Sequence, residues 1–144
     1  MKQRRKATVY YHLPGLFEFH ELYCEFLPLF REHREYFYDW CGIGSVYGAP
    51  ADCIWGGGRI GYGDYNPRKV LALMQEYGIS SRLTFSNSLL EKRHLSDQKC
   101  NQLCAIFEEK NTPRNGVIIH SDLLLDYLKR QYPGFYFVSS TQRY

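Results

Sequence analysis

An α/β fold is what this 144-residue sequence predicts: about five parallel strands with helices between them, the first half of a (β/α) barrel or a small open sheet. Three observations carry that expectation. Short apolar runs at 8–13, 53–55, 81–85, 116–119 and 135–138 alternate with stretches whose apolar residues fall at helical spacing. The run Gly116-Val117-Ile118-Ile119 is aliphatic throughout after its glycine, as a strand covered on both faces requires. Strand–helix–strand units of this kind join in parallel through right-handed crossovers. A complete eight-stranded barrel takes about 250 residues, so a chain of 144 holds part of one.

The elements follow in order. Residues 8–13 are β-branched and aromatic and stop at Pro14-Gly15. Over 16–30, Leu16, Phe19, Tyr23, Phe26, Leu27 and Phe30 lie on one helical face. A weaker, very aromatic helical stretch covers 32–41, and 53–55 reads as the second strand. Asn66-Pro67 opens the next helix with an N-cap side chain and a proline in the first turn. Val70, Leu71, Leu73, Met74 and Tyr77 form its buried face, and Gly78 stops it. After the third strand, 81–85, Ser96 caps a helix running to about residue 110. The fourth strand, 116–119, leads into a short helix, 122–131, closed by Pro133-Gly134 before the fifth strand, 135–138.

Composition narrows the class. Aromatic residues make up 17% of the chain, with thirteen tyrosines, so the sequence is not of the disordered type. The net charge of +3 is concentrated at the start, where Lys2, Arg4, Arg5 and Lys6 form a basic tail over 1–7. A solvated, disordered tail is the expectation there. No basic stripe continues into the remainder, which argues against a nucleic-acid partner. Five cysteines at irregular spacing give no disulfide framework. With no apolar run long enough to span a bilayer and no secretory leader, the expectation is a cytoplasmic protein without a membrane partner.

The candidate chemistry is sparse. Cys100 and Cys104 share one apolar helix stripe with Leu103 and Phe107, which marks core packing rather than metal ligation. His20 and Cys24 stand one turn apart without further ligands, and no histidine pair has metal-binding spacing. Gly42, Gly44 and Gly48 miss dinucleotide-binding spacing by one residue. Gly56 to Gly63 is either a loop whose N–H groups cradle an anion, with Arg59 adding charge, or a plain flexible βα connection. What remains is position. Arg59, Asn87, His120, Asp122 and Gln142 follow successive strands, and in a parallel barrel such ends converge on one face. These five are the candidate substrate-binding residues. Asp122 serves equally as a helix cap. No catalytic residue and no metal ligand is identifiable.

Two segments together resemble the collagenase-like, U-class peptidase family. Gly48-Ala49-Pro50-Ala51-Asp52-Cys53-Ile54-Trp55-Gly56-Gly57 is similar to its glycine-alanine-aspartate…glycine-glycine signature. Gly116-Val117-Ile118-Ile119-His120-Ser121-Asp122-Leu123, then Tyr132-Pro133-Gly134 and Ser140-Thr141-Gln142, resembles its next hallmark. The resemblance implies a partial TIM-like (β/α) barrel over 8–144 and, for the full-length protein, hydrolase or hydroxylation-associated chemistry. It implies no cofactor in this chain, because the iron–sulfur cluster of some relatives uses cysteines of the barrel's second half. Separately, an unpaired fifth strand would leave an exposed edge, so a partner is expected: a second copy, or a C-terminal half-barrel that completes the fold. A non-enzymatic α/β assembly module is the alternative.

Overall fold

The computed structural model describes residues 7–58, 66–109 and 112–140. Five strands, β1 (Val9–Leu13), β2 (Cys41–Gly48), β3 (Ser80–Phe85), β4 (Gly116–Ile119) and β5 (Tyr136–Ser139), form one sheet in chain order. Every neighbouring pair is parallel. Between them run α1 (His20–Glu32), α2 (Pro67–Glu76), α3 (Gln98–Glu108) and α4 (Asp122–Gln131). Sequential parallel strands joined by right-handed crossovers place successive helices on one face. The sheet therefore curls into a half-barrel with helices outside, the partial (β/α) barrel that the sequence predicts.

The core lies between sheet and helices. Along β3, Ser81, Leu83 and Phe85 are buried and alternate with half-buried Ser80, Arg82 and Thr84. Val46, Val117 and Ile119 supply the same layer from β2 and β4, and Leu27, Val70, Met74, Leu103, Phe107, Leu124 and Leu128 meet it from the helices. Cys100 and Cys104 are buried within this core. Local capping explains three helix starts. Asn66 accepts from the Arg68 N–H, Asp97 from that of Cys100, and Ser121 from that of Leu124.

Four sequence expectations change. The second strand is Cys41–Gly48, not 53–55; Ile54–Gly56 is instead a single 3-10 turn. Alternating glycines disguised β2, because glycine is a poor strand former. Here they are needed for close approach: a Cβ on Gly44 would fall 2.7 Å from the His12 ring. The helical stretch over 32–41 shrinks to one 3-10 turn, Arg34–Tyr36, because the chain must extend again to enter β2. α1 begins at His20 rather than 16, since Leu16 and Phe17 are buried in a turn that precedes it. Asp97, not Ser96, caps α3, because Ser96 closes the preceding 3-10 turn by donating to the Arg93 carbonyl. The basic tail, apart from residue 7, lies outside the described residues. No helix among the described residues is long and apolar enough to cross a membrane.

Candidate functional site

Parallel strands deliver their C-terminal ends to one rim of the half-barrel, and two cavities open there. The first, about 330 Å³, lies over β1–β3 and is walled by Gly15, Glu18, Tyr47, Gly56, Thr84 and Ser86. The second, about 250 Å³, lies over β4 and β5 and includes His120, Asp122, Lys129 and Ser139.

The strand alternation that buries Leu83 and Phe85 sends their neighbours to the concave side. A hydrogen-bonded row results. His12 Nδ1 meets Ser45 Oγ at 2.7 Å. The Tyr136 hydroxyl meets Ser80 Oγ at 2.5 Å and accepts from Arg82 Nε at 3.0 Å. Tyr136 pairs with Gly116 in register, and the missing side chain lets its ring lie across β4 toward β3. Tyr47 pairs with Arg82, and Thr84 follows two residues on, so this row continues into the floor of the larger cavity. Thr84 Oγ1 is buried without a hydrogen-bond partner among the described residues. No salt bridge joins Arg82 to a carboxylate among those residues.

Partial burial, and then the Arg82 charge, lower the His12 pKa below its ordinary 6.5; burial and Lys69 do the same for His20. The unfolded chain therefore takes up protons more readily below pH 6.5, and stability present above that value is lost as the pH falls through the folded pKa values. Both rings are largely solvated, so the effect is modest. The urea midpoint should drop between pH 7 and pH 5, and His12→Gln should reduce the drop. An unchanged pH dependence in that variant would place His12 away from the Arg82 field.

The sequence candidates fare unequally. His120 and Asp122 line one cavity together; His120 Nδ1 is buried and has no partner among the described residues. Asp122 is the first residue of α4, while Ser121 provides the cap. Asn87 is occupied locally: its Nδ2 donates to the Ile54 carbonyl at 2.8 Å and its Oδ1 accepts from the Leu89 N–H at 2.9 Å. It braces the 3-10 turn and does not line either rim cavity. Arg59 and Gln142 lie outside the described residues. The residues that sequence reasoning passed over are Ser45, Tyr47, Arg82, Thr84 and Tyr136. For Arg82 and Thr84 the signal was their place opposite Leu83 and Phe85 in the alternation of 82–85.

The cysteines do not suit a metal cluster. Cys53 Sγ lies 3.4 Å from Cys100 Sγ inside the core, with the Cys100 thiol hydrogen bond drawing the Cys53 pKa down. Burial drives Cys104 well above the ordinary thiol range. Cys24 and Cys41 lie nearer the surface, and no group of three metal-ligating side chains occurs among the described residues.

No protein-family model, curated protein or solved structure matches this chain.

Proposed function

We propose that the chain is the substrate-binding half of a (β/α) barrel related to the collagenase-like peptidases, completed by a second half-barrel along β1 and β5. One observation carries this reading. The concave side of a parallel sheet holds a polar row of exposed His12 and half-buried Tyr47, Arg82 and Tyr136, while the helices pack on the other side. Parallel sheets are stable when both faces are covered. Closure would cover this row and turn the rim cavities into a shared mouth above it, where His120 and Asp122 meet substrate from one side and Tyr47, Thr84 and Ser86 from the other. The edge strand β1 supports the same reading: Val9, Tyr10 and Tyr11 are 43%, 49% and 47% exposed, an apolar edge of the kind proteins seldom leave open. That edge equally favours the second reading, an assembly module without catalysis.

Sedimentation combined with amide exchange tests closure. The chain is expected to self-associate, with β1 and β5 amides protected only in the associated form. Tyr11→Lys should weaken association at least about tenfold, a loss of about 1.4 kcal/mol or more. A monomer at all concentrations, with β1 amides as protected as those of β3, would overturn the proposal.

A further inference from the structure

At the opposite end of the sheet, where β2 and β3 begin, lies a cavity of about 320 Å³ remote from the strand-end rim. Phe30, Ile43, Tyr77 and Ile79 give it apolar walls, and Arg31 and Arg34 border it with two guanidinium groups. Both cations are backed by rings. Arg31 Cζ sits 4.2 Å from the Tyr77 ring centre, and Arg34 Cζ sits 4.1 Å from that of Phe30. Arg34 is fixed further by Nη2, which donates to the carbonyls of Tyr38 at 3.2 Å and Cys41 at 2.8 Å.

These arginines hold more donor capacity than the protein uses. Arg31 makes one long bond, 3.5 Å to the Glu76 carbonyl. Nη1 of Arg34 is buried and meets no acceptor among the described residues. No salt bridge joins either arginine to a carboxylate there. A buried donor without an acceptor costs stability, and native proteins tolerate few of them.

We propose that this cavity binds a small organic carboxylate carrying an apolar, ring-sized body. The body would rest on Ile43, Tyr77 and Ile79. The carboxylate would take the open donors of Arg31, whose planar fork matches its two oxygens, and would reach the buried Nη1 of Arg34 once the stacked Phe30 ring moved aside. The volume lies at the lower end of small-molecule sites, which suits one ring and a short acid arm. A singly charged acid fits better than a phosphate dianion, because Arg31 also faces the carbonyl end of α2, which is partially negative. The site lies at the strand N-termini, so it is independent of the substrate reading above.

Titration of the full chain with 3-phenylpropionate, followed by amide shifts, tests it. Saturable shifts are expected at Ile43, Gly78 and Ile79 but not at His120 or Ser121. The uncharged 3-phenylpropionamide and inorganic phosphate should each bind at least about tenfold more weakly, the worth of one charge-assisted contact. Arg31→Gln should weaken the acid by a similar factor while lowering the ligand-free urea midpoint only slightly, through the lost Tyr77 contact. Arg34→Lys, which keeps the charge but loses the fork, serves as the second variant and should also weaken it. Four results would overturn the proposal: no saturable shift at the cavity, equal binding of the amide, equal binding of phosphate, or undiminished affinity in both variants.

Discussion

Trp55→Ala should destabilise the fold by about 3–5 kcal/mol, the usual range for a large buried ring removed from a core, and this is the largest effect we expect. Trp55 is fully buried although it sits in a 3-10 turn rather than in a strand. Its ring meets Phe85 edge-on at 5.3 Å and Tyr127 at 6.0 Å. Its Nε1 donates to the His94 carbonyl at 2.8 Å. One side chain thus joins the loop after β2 to β3, to α4 and to the turn before α3. Alanine leaves a cavity and also removes one of the two hydrogen bonds the His94 carbonyl accepts, the other coming from the Asp97 N–H. Against a typical stability of about 5–15 kcal/mol, that loss moves a domain close to unfolding at body temperature. Urea denaturation followed by circular dichroism measures it. Trp55→Phe, which keeps a ring but loses the donor, should cost clearly less. A loss below about 1 kcal/mol for alanine would mean that the turn is not anchored by this residue.

Asn115→Ala should cost about 2–6 kcal/mol, from two buried groups left unpaired at about 1–3 kcal/mol each. The side chain is only 2% exposed. Its Oδ1 accepts from the Ser81 N–H and its Nδ2 donates to the Phe107 carbonyl, both at 2.9 Å. It therefore ties the start of β3 to the last turn of α3, just before β4. Asn115→Asp isolates the mechanism: the carboxylate still accepts from Ser81 but turns an oxygen toward the Phe107 carbonyl. That variant should be destabilised at pH 7. An aspartate as stable as the wild type would show that the Phe107 bond carries nothing.

The elements legible in the sequence are those whose pattern and packing agree. Val70, Leu71 and Met74 form a stripe between an Asn-Pro start and Gly78, and α2 occupies that interval. Cys100, Leu103, Cys104 and Phe107 likewise all face the core from α3. β2 was hidden because its glycines answer a tertiary demand, room for His12 and its neighbours, that no local propensity expresses. Trp55 read as a strand residue because apolar character says buried without saying in which conformation. The candidate site divides in the same way. His120 and Asp122 were legible by their place after an unmistakable strand. Arg82 and Tyr136 lie 54 residues apart and meet only because the register sets Gly116 between them.

Strand order identical to chain order has a consequence for how the molecule comes into being. Each new strand finds its partner already in place in the segment made just before it, so the sheet can grow from the ribosome one unit at a time. Most ties then connect successive units. The Tyr136 hydroxyl, reaching past β4 to Ser80 and Arg82, is a bond that skips a unit and awaits the final strand. It acts as a clasp, closed only once all five pieces have been delivered.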